Sequence, residues 1–323
     1  MKEVQVTIQS GVQLKGSLSI PTTDKEKNPA IVIVPGTGKL DRNGRVNKKL
    51  DLQLYRQLAE KLTEMGYVTL RYDKRGIGES EGDFNRTGMW DLVSDVQEAV
   101  RFLKNRPEVD SEKVIILGHS EGSMLGTAAA VREPIAGLIL LAGAVETLDE
   151  ATKRQRELAA QDILEFKGFL GWYLRLLGVP NKIEKQAQKY TKKVMESTED
   201  VIKVQFQPIN AKWMREHFTH NIREDLTKVT CPVLAITGAR DIQANPEVLK
   251  QLPNYVKGDS EYHIVENMGH SLKYQAKTSN MLSAKKDIIA EASLPLHTEL
   301  VELIEGWLNG HFADTREENI ITI

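Results

Sequence analysis

Ser120 stands in Gly118-His119-Ser120-Glu121-Gly122, directly after the apolar run 114–117. A strand that turns sharply into a helix writes this pattern, with glycines where strand and helix must come close. At the tip of such a turn a serine hydroxyl is exposed. A tight turn with an incidental serine would write the same five residues, so the rest of the chain must supply a base, an acid and an oxyanion site.

A serine hydroxyl is a poor nucleophile at neutral pH until a base takes its proton, and that base is most often histidine held by a carboxylate. The chain has seven histidines. His119 neighbours the serine in the turn, so its side chain is expected to point away. His217 and His220 fall in a helical segment, His263 within a strand, His297 before the last helix and His311 near the tail. His270 follows Gly269 on a loop just after the last strand, and it is the candidate base. The acid should lie between serine and histidine in chain order. Asp241, on the turn after the 233–237 strand, is the candidate. A turn aspartate bonding its own backbone is the alternative reading, with Glu266 and Asp225 as fallbacks. Two backbone N–H groups must receive the oxyanion. Glu121 offers one, at a helix start where amides lack intrahelical partners. Thr37, between Gly36 and Gly38 after the 30–34 strand, offers the other.

The elements that must position these groups are legible in hydrophobic period. Residues 3–9 and 12–20 alternate polar and apolar across Ser10-Gly11, as a β-hairpin does. The apolar runs at 30–34, 114–117, 135–141 and 232–237 read as buried strands, 67–72 as a further strand and 261–265 as an edge strand. Helical stripes lie at 50–65 (Leu50, Leu54, Leu58, Leu62), 91–105 and 298–308, the last with Thr298 as N-cap. Strand alternating with helix implies parallel βαβ units, with the binding crevice at the C-terminal strand ends. Thr37, Asp73 and Ser120 all lie at or just after such ends. From 145 to 221 the rhythm changes to charged helix formers, with one β-like run at 201–205. This reads as a helical insertion capping the crevice. Its aromatics (Phe166, Phe169, Trp172, Tyr173, Tyr190, Phe206, Trp213, Phe218) are expected mostly to form a small satellite core, some lining a pocket. The stretch 271–297 is long for a plain loop, and the charged tail after Phe312 is expected to fray.

Composition narrows the function. The chain has 323 residues, 41% hydrophobic and 27% charged, with a net charge of -2. That gives no case for nucleic acid or for stable membrane association. A single cysteine, Cys231, excludes an internal disulfide framework, fits a reducing compartment and reads as a buried structural thiol. The first residues lack the apolar core of a signal peptide, and no run approaches a membrane span. A cytoplasmic protein is expected, with a homodimer one option for its assembly. Nothing in the spacing suggests a metal or cofactor.

Taken together these features resemble the α/β-hydrolase superfamily over nearly the whole chain. Pro35-Gly36-Thr37-Gly38 is similar to its His-Gly oxyanion loop, with proline where histidine is frequent. Asp73-Lys74-Arg75-Gly76-Ile77-Gly78-Glu79-Ser80 is similar to a structural loop of esterase-like members, in which Asp73 and Arg75 brace the turn. The resemblance implies a mostly parallel, doubly wound sheet with an N-terminal β-hairpin. It divides into a core (1–144 and 222–323) and a helical cap (145–221). It further implies a serine hydrolase close to bacterial carboxylesterases, acting on a small-molecule acyl ester through Ser120, His270 and Asp241. Thioesterase, acyltransferase and peptidase chemistry are the alternatives on the same site. A non-catalytic ligand-binding relative is a third reading.

Overall fold

The computed structural model describes residues 1–48 and 50–313. The charged tail expected to fray lies, from 314 on, outside the described residues. Eight strands form one sheet in the spatial order β1 (Lys2–Gln9), β2 (Gln13–Ile20), β6 (Val68–Tyr72), β3 (Asn28–Val34), β7 (Val109–His119), β8 (Gly137–Leu141), β11 (Val233–Gly238), β12 (Ser260–Val265). The first two are the expected hairpin, antiparallel in register from Lys2–Ile20 to Gln9–Gln13. From β6 to β12 every neighbouring pair is parallel.

The central strands carry unbroken apolar runs, 30–34 in β3, 114–117 in β7 and 137–141 in β8, because both faces are covered there. Ala30, Val32, Val34, Val114 and Ile116 pack toward α2 (Met89–Lys104) and α3 (Glu121–Ala130). Their alternates Ile31, Ile33, Ile115 and Leu117 pack toward α1 (Leu54–Glu64) and α10 (Thr298–Phe312). This is the doubly wound α/β-hydrolase architecture. The chain runs from β3 to one side of it and then to the other, so β3 and β7 flank the topological switch point. The loops after these strands carry Thr37 and Ser120, where open α/β sheets form their crevice.

Several element ends differ from the sequence expectation, each for a local reason. α1 begins at Leu54, because Leu50 pairs with Asn47 in a small hairpin, β4 (Arg45–Asn47) with β5 (Leu50–Asp51). Gln53 then turns through φ 49° before the helix starts. α2 starts at Met89, since the Asp91 carboxylate accepts the Gly88 N–H (2.7 Å) from the third helical position. Thr298 is the first residue of α10 and His297 precedes it, so the threonine is not the N-cap. The long 271–297 stretch holds α9 (Ala284–Glu291).

Between β8 and β11 lie α4 (Leu148–Glu165), α5 (Gly168–Leu176), α6 (Val179–Met195), α7 (Ala211–Thr219) and α8 (Ile222–Leu226). The β-like run at 201–205 is β9 (Val201–Val204), paired with β10 (Gln207–Asn210) in a separate two-stranded sheet. The expected satellite core of aromatics does not form. Phe166, Phe169, Trp172, Tyr173 and Phe206 are exposed. Only four residues of α4 to α7 besides one glycine are buried, Ile163, Val194, Ala211 and His217. The helices are too thin a layer to enclose large rings.

Candidate active site

β7 ends at His119, and Ser120 turns the chain into α3 with φ 55° and ψ −120°. A non-glycine residue at positive φ is strained and persists where the surroundings over-determine it. Two glycines supply that frame. A Cβ on Gly118 would lie 2.2 Å from the Gly122 carbonyl oxygen, and one on Gly122 2.2 Å from that of Val34. Only hydrogen atoms fit where β3, β7 and α3 converge.

Ser120 Oγ lies 3.1 Å from His270 Nε2, and His270 Nδ1 lies 2.8 Å from Asp241 Oδ2. The three sequence-predicted side chains, from the ends of β7, β11 and β12, thus meet in one hydrogen-bonded chain. The Asp241 carboxylate is fully buried. Its two oxygens divide the two readings offered by the sequence. Oδ1 accepts the N–H groups of Gln243 and Ala244 (2.8 and 2.9 Å), a turn aspartate's bonds, while Oδ2 faces the histidine. Of the fallbacks, Asp225 sits on α8 with Arg132, His220 and Lys228 and is not brought to His270.

Thr37 and Glu121 line the same cavity as Ser120 and His270. The Gly36 N–H donates to Tyr55 Oη (2.7 Å), which leaves the Thr37 amide as the next donor along that loop. The Glu121 amide lies in the first turn of α3, where N–H groups have no intrahelical acceptor.

His119 acts through other bonds, which sequence reasoning missed. Its Nε2 lies 3.0 Å from the His270 carbonyl oxygen and its Nδ1 3.2 Å from Tyr55 Oη. The ring therefore ties the Gly36–Thr37 loop, through Tyr55, to the backbone of the candidate base. Burial first, and His270 second, pull its pKa down to about 3, so the imidazole is neutral.

The Glu121 side chain, unexplained from sequence, lies at the centre of a buried charged cluster. Trp213 Nε1 donates to Oε1 (2.6 Å), His217 Nε2 lies 3.1 Å from the same oxygen, and Lys74 Nζ lies 3.5 Å from Oε2. Burial opposes charge on both members of the Lys74–Glu121 pair and lowers the lysine. Against burial, Lys74, His217 and Trp213 hold the carboxyl at about 2. Lys74 Nζ also donates to the Gly36 carbonyl (2.6 Å), beside Thr37. One cluster thus ties the Gly36–Thr37 loop and the start of α3 to α7. The partners could not be found by spacing, since Trp213 is 92 residues from Glu121. Asp73 and Arg75 brace the neighbouring loop as expected. Asp73 accepts from Arg42 and from the Glu79 N–H, and Arg75 forks onto Asp95. Gly78 takes φ 54°, and a Cβ there would meet the Asp73 carboxylate at 2.3 Å.

The cavity in front of Ser120 has a volume of about 590 Å³. Leu40, Val46, Leu50, Leu52 and Met124 line it from the core, and Leu148, Ala151, Trp213 and Ile222 from the segment between β8 and β11. Cys231 is half-buried and away from this cavity, and burial pushes its thiol up to about 11. Among the described residues no group of His, Cys, Asp or Glu is arranged to hold a metal ion, and no helix is long and apolar enough to cross a membrane.

A doubly wound sheet with a serine at a strained strand-to-helix turn, hydrogen-bonded to histidine and aspartate, defines the α/β-hydrolase class. Residues 51–275 match the family model described as serine aminopeptidase, S33, and the chain belongs to that family. It is 26% identical over 245 residues to esterase EstD of Thermotoga maritima, a match covering 75% of this chain and 52% of that protein. The chain thus spans about half the length of that relative. It is 23% identical over 276 residues to the mitochondrial palmitoyl-protein thioesterase ABHD10 of Rattus norvegicus, covering 84% and 79% of the two chains. Among solved structures, Est1E of Butyrivibrio proteoclasticus with bound ferulic acid superposes with a TM-score of 0.61 at 19% identity. That superposition covers 96% of this chain and all of the other, and it shows a common fold.

Proposed function

We propose that the protein is a carboxylesterase that cleaves a small-molecule acyl ester through an acyl-enzyme on Ser120. The reading rests on the Ser120–His270–Asp241 hydrogen-bonded chain opening into an apolar cavity. His270 Nε2 takes the Ser120 proton as Oγ bonds to the ester carbonyl carbon. The oxyanion forms against the Thr37 and Glu121 amides. As the tetrahedral intermediate collapses, the C–O bond to the alkoxide breaks and His270 returns the proton to the leaving alcohol. Water then attacks the acyl-enzyme, His270 taking its proton, and the acid leaves. Asp241 fixes the imidazole tautomer and stabilises the imidazolium. No cofactor takes part.

In this reading 1–144 and 222–323 form the catalytic core and 145–221 the cap over the cavity. The lone cysteine supports a cytoplasmic site of action. Thioester cleavage is the second reading, favoured by the similarity to a palmitoyl-protein thioesterase. A panel of p-nitrophenyl esters, acyl thioesters and aminoacyl amides, run with Ser120→Ala as control, separates them. Ester turnover that the variant abolishes, with phosphonate labelling of Ser120, supports the reading. Absence of ester turnover would sink it, and absence of labelling would revive a binding-only role.

A further inference from the structure

The segment between β8 and β11 carries an apolar surface that its own fold leaves uncovered. In α5, Phe169, Trp172, Tyr173 and Leu176 recur at the spacing of one helical face. Such a stripe ordinarily turns to the core. Here the four side chains are 77%, 52%, 44% and 64% exposed. The side that carries Gly171 and Arg175 is turned inward instead. Arg175 Nη1 donates to the carbonyls of Ile163, Leu164 and Phe166 (3.1, 3.1 and 2.8 Å), satisfying the end of α4. Gly171 is buried against the same turn, where a Cβ would lie 1.9 Å from the Phe166 oxygen. Hydrogen bonds and close backbone contact therefore set the helix with its apolar stripe outward.

The charge around this stripe selects its occupant. Residues 167–193 contain seven lysines and arginines and one acid, Glu184, in a chain of net charge -2. Along α6, which packs beside α5, Lys182, Lys185, Lys189, Lys192 and Lys193 are all exposed. Their spacing puts them on one side of that helix, away from the row Val179, Ile183, Ala187 and Val194. A second copy docked on this face by a twofold axis would set the basic segment against itself. An anionic bilayer complements both features. Aromatic and leucine side chains enter the boundary between headgroups and acyl chains, and lysines meet lipid phosphates.

We propose that α5 and α6 dock the protein on a bilayer of anionic phospholipid. The expectation of no stable membrane association rests on the net charge of the whole chain and on the lack of a span-length apolar run, and neither registers this segment. α4, onto which α5 is pinned, lines the cavity with Leu148, Ala151, Thr152 and Gln155.

The test is flotation of the full chain with vesicles of phosphatidylcholine alone or with about 30% phosphatidylglycerol, at low and high salt. Co-flotation with the anionic vesicles only, weakened by salt, is expected. Lys185→Ala with Lys189→Ala weakens partitioning roughly thirtyfold, and Phe169→Ser with Leu176→Ser removes it. Circular dichroism and turnover of a water-soluble ester verify that each variant folds. Should one fail to fold, tryptophan emission of the unaltered chain serves, with a blue shift expected on anionic vesicles alone. No co-flotation and no blue shift, full binding by the folded lysine variant, or a stable dimer that covers Trp172 would overturn the proposal. Flotation is read without turnover, so it fails separately from the catalytic reading.

Discussion

Replacing Glu121 by glutamine tests whether its buried cluster holds the proposed oxyanion site together. Glutamine keeps the shape and an acceptor for Trp213 but removes the charge facing Lys74 at 3.5 Å. At an effective dielectric of about 20 that contact carries about 5 kcal/mol of Coulomb attraction. The stranded lysine recovers part of it by losing its proton or admitting water, so the expected loss of stability is about 3 kcal/mol. In a chain of 323 residues that lowers the melting temperature by roughly 4–5 °C. Catalysis falls as well, because Lys74 also grips the Gly36 carbonyl beside Thr37. Losing a whole oxyanion donor costs roughly a hundred- to thousandfold in kcat, so loosening both donors should cost roughly ten- to a hundredfold, with KM little changed. Thermal unfolding by circular dichroism and hydrolysis of p-nitrophenyl butyrate read the two effects. Lys74→Met with Glu121→Gln should lose less than the two single changes together. A Glu121→Gln protein that melts within a degree of the parent and keeps its kcat would refute the reasoning.

Two pH effects and one tautomer effect follow. Three donors hold Glu121 near 2 against burial, below the ordinary 4.5, so its contribution is fully present above about 4.5. That contribution is lost as pH falls toward 2, and Glu121→Gln should flatten the acid-unfolding curve in that window. His119 is depressed to about 3 by burial from an ordinary 6.5, so between those values the unfolded chain binds a proton that the native one refuses. Stability should therefore fall with acid by about 1.4 kcal/mol per pH unit there, and His119→Gln, compared by urea unfolding at several pH values, should lessen the slope. Asp241→Asn leaves the turn acceptor in place but presents an amide to His270. We expect a kcat about ten-thousandfold lower with the melting temperature within a few degrees, and a variant that stays fast would remove Asp241 from the mechanism.

The core and its three chemical side chains were legible because each leaves a local mark. A strand buried on both faces writes an unbroken apolar run, and Ser120 and Asp241 follow such runs within a few residues, while His270 follows the edge strand β12. Gly118 and Gly122 were legible for the same reason, since their close approach is to each other and to the neighbouring strand. The Glu121 side chain was not, because Lys74 and the α7 residues Trp213 and His217 reach it from two distant parts of the chain. His119 turns its ring to Tyr55 and to the His270 carbonyl. Its bond to the His270 backbone depends on tertiary geometry that no spacing encodes. The aromatics of α5 misled in the opposite way. An apolar stripe at helical spacing says that a face wants cover, and only the fold says whether the same chain provides it.

Arg154 of α4 pairs with Glu146 and donates to the carbonyls of Ile242 and Gln243 (2.9 and 2.7 Å), next to Asp241. Asn210 and Lys212 reach from the start of α7 to the Phe84 and Thr87 carbonyls and to Asp91. The helical segment is thus not an exchangeable module. A chimera that imports another protein's helices here would strip support from the acid loop and from Glu121 at once. Substrate range in this chain should therefore be altered by point changes on the cavity wall, such as Leu148 or Ile222, whose side chains carry none of these ties.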